Sequence, residues 1–196
     1  MTRIEPMFAP SRPTGGPVGN PQVGITVLGI DPGLTRCGYA VLRQNGTQQP
    51  VVVSLGVITT VASTELPHRL AELHRELVAL FDEFVPVAVA VEQVFFQANV
   101  RTAMSVGQVS GLALAIAADR RCDVVQFTPK QVKSAIAGWG GADKLQVQRM
   151  VQKRLGLSKL PKPADAADAA ALALCYLAML PLRQSIIAAE TKVKSA

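Results

Sequence analysis

Five short apolar stretches of this chain have the length and flanking residues of β-strands. Residues 25–30, 39–42 and 51–58 form the first three, and Asn45-Gly46 between the second and the third is a strong hairpin signal. Residues 87–91 are apolar on both alternating faces, which indicates a strand covered by helices on each side. A fifth strand is predicted over residues 124–127.

Longer stretches between and after these strands carry apolar residues at helical spacing. Residues 66–84 place seven large apolar side chains on one face of a predicted helix. Further helices are predicted over about 101–119, from Pro129 to a break at Gly140-Gly141, over 143–155 and over 164–180, where Pro181 should end the last one. This order of elements predicts an α/β fold in which a mixed sheet is covered by helices.

The two ends of the chain differ in composition from its centre. Residues 1–24 contain five of the thirteen prolines and four glycines, with too few large apolar groups to offset the entropy lost on ordering. We expect a disordered extension over residues 1–24, one domain over residues 25–182 and a flexible tail over residues 183–196. A chain of 196 residues, 49% of them apolar, can bury a substantial core in one domain.

Four carboxylates stand at positions where a catalytic or metal-binding site is expected. Asp31 and Glu92 each follow an apolar strand, and the carboxyl ends of strands are where ligands bind in open α/β sheets. Asp165 and Asp168 lie three residues apart on one face of an otherwise apolar helix, where two ionised side chains are costly to bury without a cation. For Asp165 alone, a first-turn acid favoured by the helix dipole is an equal explanation. Hard divalent ions such as Mg²⁺ or Mn²⁺ prefer these oxygen ligands.

Charge and cysteine content indicate which kind of partner and which cellular compartment to expect. The net charge is +6, and residues 120–162 contain ten Lys or Arg against Asp123 and Asp143, which favours a polyanionic partner over an ordinary solvated surface. Cys37, Cys122 and Cys175 are far apart and odd in number, as expected of buried thiols in a reducing compartment. The chain begins without a signal-peptide pattern, and residues 169–182, its longest apolar run, are too few to span a bilayer. We expect a cytoplasmic protein.

Three motifs, in order and spacing, resemble the RuvC family of Holliday-junction resolvases. They are LGIDPG at residues 28–33, VEQVF at residues 91–95 and ADAADA at residues 164–169, supported by QVK at 131–133 and KLQVQ at 144–148. The resemblance covers about residues 25–180. It implies a ribonuclease-H-like fold with a mixed five-stranded sheet, and a homodimer that nicks two opposed strands of four-way junction DNA. It also implies dependence on Mg²⁺, with two ions per site and Mn²⁺ as a substitute, and cooperation with the RuvA–RuvB branch-migration complex.

The resemblance also assigns roles residue by residue. The family's four metal-binding acids fall on Asp31, Glu92, Asp165 and Asp168, and its catalytic basic residues fall on Lys133 and Lys144. An ammonium group suits a phosphate contact or developing negative charge, although a surface lysine is the alternative. The family's base-contacting aromatic falls on Phe95. We assign further DNA contacts to Phe96, Arg101, Lys130 and Arg149.

Ala103, Gly107, Gly111 and Ala115 recur every four residues and form a smooth helix stripe. This stripe could form a dimer seam, and packing on the chain's own sheet is an equal alternative. Two-fold symmetry would present two identical sites to the two cleavage points of a junction. Typical members of the family that this chain resembles begin almost at the first strand. Residues 1–24 and the segment beyond residue 182 are therefore additions in this chain.

Three other interpretations stay open. The first is a ribonuclease-H-like nuclease that acts on RNA, which would share Asp31 and the terminal acids without the Glu-Gln-Val-Phe pattern. The second is a junction-binding scaffold with vestigial carboxylates, which metal-dependent cleavage would rule out. An actin-like ATPase ranks lowest, because a chain of 196 residues has no room for its second phosphate-binding half.

Overall fold

A computed structural model describes residues 24–93 and 100–194, with side chains described over 24–93 and 102–181. The expected extension over residues 1–24 therefore lies, except for Gly24, outside the described residues. Five strands and five helices follow one another in these ranges: β1 (Ile25–Asp31), β2 (Arg36–Gln44), β3 (Val51–Thr59), α1 (Leu66–Phe84), β4 (Ala88–Glu92), α2 (Val100–Asp119), β5 (Asp123–Phe127), α3 (Pro129–Ala137), α4 (Lys144–Arg154) and α5 (Ala164–Lys194).

The five strands form one mixed sheet in the order β3-β2-β1-β4-β5. Strands β1, β2 and β3 pair antiparallel through short connections, whereas β4 pairs in parallel with β1 and β5 pairs in parallel with β4. Each parallel strand is reached through a helix, as parallel pairing requires. The predicted mixed five-stranded sheet covered by helices is confirmed.

Successive residues of the central strands face two separate cores. Val27, Ala40 and Ala90 point to one face of the sheet, where they pack against α3, α4 and α5. Leu28 and Val89 point to the other face, where they pack against α1 and α2. Because neighbouring strand residues alternate between faces, the sequence number of a residue in β1 or β4 determines which helices it meets.

Helix α5 lies unusually close to the sheet because two glycines face it. A Cβ atom added to Gly29 would lie 2.0 Å from the carbonyl oxygen of Ala169, and one added to Gly38 would lie 2.1 Å from that of Asp165. The helix meets them with alanines, of which Ala166, Ala169 and Ala170 are fully buried. Small side chains on both surfaces bring the helix backbone onto β1 and β2.

Two predicted helix ends are wrong. Helix α3 ends at Ala137, ahead of the expected break at Gly140-Gly141, because Gly138 adopts the left-handed conformation (φ 89°) that closes a helix. Helix α5 was expected to end before Pro181 but continues to Lys194. A proline removes one backbone hydrogen bond, whereas the residues on either side retain theirs, so a long helix can continue past it. The division of the chain at residue 182 stays a prediction.

Residues Ala164–Pro181 of α5 are long and apolar enough to cross a membrane by length and composition, contrary to the expectation that the run is too short. In the structure, 61% of this segment is buried inside the protein, which identifies it as the central core helix. The three cysteines form no disulfide; Cys37 and Cys175 are buried as expected, and Cys122 is partly exposed.

We predict that Gly29→Ala destabilises the protein, because its methyl group would overlap the backbone of α5 rather than a movable side chain. Overpacking of this kind typically costs about 1–3 kcal/mol. His74→Ala is the control, since His74 is exposed on α1; it should change stability by no more than about 0.5 kcal/mol, as is usual for surface substitutions. Urea unfolding of both variants checks this, and equal stabilities would contradict the close contact.

Candidate active site

Asp31 and Glu92 are neighbours at the carboxyl edge of the sheet. Strands β1 and β4 pair in parallel with Ile30 beside Val91, so the next residue of each strand carries one of the two acids. Asp31 is two residues from Gly29 and Glu92 is two residues from Ala90, so both acids stand on the face that α5 covers. Strand pairing and alternation therefore bring these two side chains together under α5.

Helix α5 adds the two remaining carboxylates. Its first turn contacts Gly38, which pairs with Asp31 across β1 and β2. Burial, and after it the charges of Glu92, Asp168 and Asp165, raises the pKa of Asp31 from 3.8 to about 7. The four acids that the sequence singled out thus form one electrostatic cluster.

The carboxyl groups of Asp31 and Glu92 share a hydrogen bond. Burial and the charge of Asp168 raise the pKa of Glu92, and the bond to Asp31 partly opposes that rise. Two carboxyl groups in such contact titrate as a pair, because the first proton lost makes the second harder to remove. Near neutral pH, the pair holds a proton that an isolated aspartate would have released.

Each aspartate of α5 is paired with one basic side chain. Both Nε and a terminal nitrogen of Arg36 lie 2.8 Å from Oδ2 of Asp165. The Lys144 ammonium lies 2.7 Å from Oδ2 of Asp168. That ion pair is the main reason why the pKa of Lys144 is raised. These cations partly offset the repulsion among the carboxylates.

Lys144 occupies a place that its own helix does not favour. It is the first residue of α4, behind the N-cap Asp143, whose side chain forms a capping box with Gln146. The amino end of a helix carries partial positive charge, so a cation there is unfavourable unless a negative group faces it. Asp168 supplies that group, which fixes Lys144 toward the carboxylates.

A cavity of about 280 Å³ opens beside the cluster. Its polar lining comes from Glu92, Asp168, Lys133 and Lys144, and its apolar wall comes from α3, α4 and α5. A reacting phosphate could approach carboxylates and ammonium groups together in this cavity. The basic residues expected to accompany the four acids thus lie beside them.

The turn between β1 and β2 is held by Arg69, a buried residue of α1. Its guanidinium donates hydrogen bonds to the hydroxyls of Thr60 (2.8 Å) and Thr35 (2.7 Å). The Thr60 hydroxyl in turn donates to the carbonyl of Leu34 at 2.6 Å. This network fixes the segment that joins Asp31 to Arg36.

The donor set suits a hard divalent cation, because the site offers carboxylate oxygens without sulfur or imidazole ligands. Within the described part of the chain, however, no group of three or more acidic, cysteine or histidine side chains is already arranged to hold a metal ion. Arg36 and Lys144 occupy an oxygen of Asp165 and of Asp168 instead. The chemistry of the donors fits a metal, and their convergence on one requires side-chain rearrangement.

The structure describes only some of the remaining predicted DNA contacts. Lys130 and Arg149 are exposed on α3 and α4. Phe95 and Phe96 lie outside the described residues, as does the side chain of Arg101. Their assigned roles stay predictions.

The sequence interpretation missed Arg36, Gly29 and Gly38. A signal for Arg36 exists only in combination: it is two residues before Gly38, on the same face of β2, and that face becomes meaningful once β2 is paired with Asp31. The glycines carry a weaker signal: Gly29 follows Ile25 and Val27 on the α5 face of β1, and Gly38 stands between Arg36 and Ala40 on that of β2. Gly29 lies within the LGIDPG motif, but its contact with α5, like the roles of Arg36 and Gly38, does not follow from a local motif.

Comparison with known proteins identifies the family of this chain. Residues 27–176 match the family described as "Crossover junction endodeoxyribonuclease RuvC". The chain belongs to the RuvC family. A RuvC from Leifsonia xyli subsp. xyli (strain CTCB07) is 51% identical over 152 residues, which is 78% of this chain and 73% of that protein.

Solved structures agree with the family assignment. The structure of RuvC from Thermus thermophilus matches with a TM-score of 0.74 and 34% identity, covering 81% of this chain and 96% of that one. A structure of T. thermophilus RuvC "in complex with Holliday junction substrate" also matches with a TM-score of 0.74, at 35% identity over 79% of this chain and 96% of that one. The fold is ribonuclease-H-like, as the resemblance implied.

We predict that Asp31→Asn stabilises the metal-free protein at alkaline pH. The raised pKa means that the folded state binds more protons than the unfolded state between pH 3.8 and about 7, so stability falls as pH rises through that window. Removing the ionisable group should raise the thermal midpoint at pH 8 by at least roughly 2–4 °C, the shift that ~1 kcal/mol produces at this chain length. The gain should shrink at pH 4.

Melting curves in chelator at pH 4 and pH 8 check this prediction. Asp82→Asn is the control, because Asp82 pairs with Arg120 on the surface of another part of the fold and is 63% exposed. It should show no gain at pH 8. An Asp31→Asn variant less stable than the wild type at pH 8 would mean that the carboxylate cluster does not strain the fold.

Proposed function

We propose that this chain resolves Holliday junctions, as a structure-specific endonuclease that nicks two opposed DNA strands symmetrically in recombination and repair. The observation that carries the proposal is a cluster of four carboxylates in a member of the RuvC family, beside a cavity that Glu92 and Asp168 of the cluster line together with two lysines. Hydrolysis of a phosphodiester needs a bound phosphate, an activated water and a neutralised leaving oxygen. This set of side chains can supply or support all three.

Asp31, Glu92, Asp165 and Asp168 are the proposed metal-binding residues. Members of the RuvC family are nucleases that need a divalent metal. We propose that this chain uses Mg²⁺, with two ions per site, and that Mn²⁺ can substitute for it. When bound, such ions supply charge that activates water and stabilises the leaving oxygen. The chain's own part is to present ionised carboxylates, so Asp31 must give up its proton and the two α5 aspartates must share or release Arg36 and Lys144.

Lys133 and Lys144 are the proposed phosphate-binding residues. Both line the cavity that also exposes Glu92 and Asp168, so their ammonium groups can meet a phosphate that reaches the carboxylates. Outside the cavity, we propose that Lys130 and Arg149 contact the DNA backbone and that Phe95, Phe96 and Arg101 contact the junction. Unpaired bases at a branch point offer open faces to aromatic side chains.

We propose that the chain acts as a homodimer in the cytoplasm and cooperates with the RuvA–RuvB branch-migration complex. One observation supports a dimer contact through α2. Gly111 and Ala115 of its small-residue stripe are exposed, and a Cβ at Gly107 or Gly111 would have no atom within 4 Å, so this part of the stripe turns away from the chain's own sheet. A flat, open helix face allows a second helix to approach closely.

The central test is cleavage of a synthetic four-way junction beside a linear duplex of matched sequence, with Mg²⁺ or with chelator. We predict paired, ligatable nicks for the wild type only with the junction and Mg²⁺. Asp31→Asn should abolish cleavage because a neutral amide cannot replace the carboxylate ligand, and it should leave junction binding largely intact.

Gel-shift titration in chelator measures the binding half of this prediction. Full activity of Asp31→Asn would remove Asp31 from the proposed site. Tight junction binding without cleavage by the wild type would favour a scaffold, and absence of any preference for the junction would favour an RNA substrate.

Lys144→Ala should lower the cleavage rate at saturating protein by about 100-fold or more, the usual effect of removing a group that stabilises transition-state charge. Lys153→Ala is the control, because Lys153 is exposed in the last turn of the same helix. It should leave the single-turnover rate within about twofold of wild type, since surface charges have small effects. Equal rates for the two variants would make Lys144 an ordinary surface lysine.

A further inference from the structure

The turn between α3 and α4 presents an exposed tryptophan. Trp139 is the only tryptophan of the chain, and 57% of its surface is exposed. Large aromatic side chains are usually well buried, so an open tryptophan on a short turn needs an explanation other than the core. The core beneath this turn is completed instead by Ile136 and Ala142, which are fully buried.

The turn holds the indole ring in place. Gly138 ends α3 in the left-handed conformation, and Asp143 caps α4, so both ends of the turn are fixed. The ring lies on Gly141, where an added Cβ would be only 2.3 Å from Cζ3 of Trp139. An aromatic ring supported from below and open above is ready to stack against a flat partner.

The charged side chains near the Trp139 ring indicate what kind of partner it would stack against. The stem of Lys130 lies over Gly140, next to Trp139, since a Cβ added there would be 2.9 Å from its Cγ. The two helices that the turn joins carry Lys133 and Lys144 to the catalytic cavity. The acid within the turn, Asp143, is engaged in capping α4. An open aromatic ring with one lysine beside it and two more on the adjoining helices suits the stacked bases and phosphates of a nucleic-acid strand.

We propose that Trp139 stacks on a nucleobase of the junction strand that passes from the catalytic cavity over the α3–α4 turn. This inference rests on the proposed function, since it requires junction DNA as the ligand. The base must be unpaired or displaced from its neighbour, because in a continuous duplex both faces of every internal base are already covered. Trp139 would thereby help to hold the strand while Lys133 and Lys144 hold the phosphate.

Intrinsic fluorescence tests this directly, because one tryptophan gives the whole signal. A four-way junction, added in chelator, should quench the emission of the wild-type protein, and the matched linear duplex should quench it much less at equal occupancy. Binding is followed separately by the anisotropy of labelled DNA. The control is a Trp139→Phe, Val51→Trp double variant, which moves the fluorophore to an exposed residue at the start of β3; its emission should not respond to the junction.

Substitution separates stacking from simple apolar contact. Trp139→Ala and Trp139→Leu should both weaken junction binding by about 5- to 150-fold, the range expected for the loss of one stacked base. Trp139→Phe should restore affinity to within about threefold of wild type. Thermal unfolding of the three variants shows whether the turn remains folded.

Each outcome of these experiments supports or overturns the stacking contact of Trp139. Quenching by the junction, with rescue by phenylalanine alone, supports the stacking contact. Junction binding without any change in emission overturns it and leaves the proposed function standing, as does equal quenching by the duplex or full affinity of Trp139→Leu. Failure of the wild-type protein to bind the junction at all overturns both.

Discussion

Mutual repulsion among four carboxylates is the physical constraint on which the rest of this structure depends. Burial, and after it the charges of the other three carboxylates, raises the pKa of Asp31 to about 7, so the ionised site is unfavourable by itself. The fold contains this repulsion in two ways. Arg36 and Lys144 each pair with one aspartate of α5, and the raised pKa values of Asp31 and Glu92 favour the neutral form of these carboxyl groups. A polyvalent cation would relieve this repulsion, and carboxylate oxygens are ligands that such cations prefer.

The fold produces this cluster through ordinary packing. Parallel pairing of β1 and β4 sets two acids side by side, and α5 brings the other two by lying against Gly29 and Gly38. Arg69 fixes the turn that leads to Arg36. The proposed catalytic residues therefore come from distant parts of the chain, but each is placed by a rigid element rather than by a loop, which favours precise positioning.

Much of this arrangement could be predicted from the sequence, and the missing parts share a cause. Helix α1 and the strands were located because their apolar periods are strong and local. The four acids stood out because strand ends and helical spacing are also local features. The Arg36–Asp165 pair joins residues 129 positions apart, and it depends on the register of β1 with β2 and on the depth of α5, neither of which a local pattern contains. The passage of α5 beyond Pro181 escaped prediction because a helix terminator was judged by residue type alone.

The glycine contact of α5 also limits how this protein can change over evolutionary time. Gly29 and Gly38 touch the helix backbone, so no side chain on α5 can be trimmed to make room for a larger residue in the sheet. A compensating second mutation is therefore not accessible by repacking. Lineages that drift in the surrounding core would keep these two positions fixed, even though neither glycine has a functional group of its own. An alignment would then show both glycines as invariant residues. The reason would be the close contact with the helix backbone and not a chemical role.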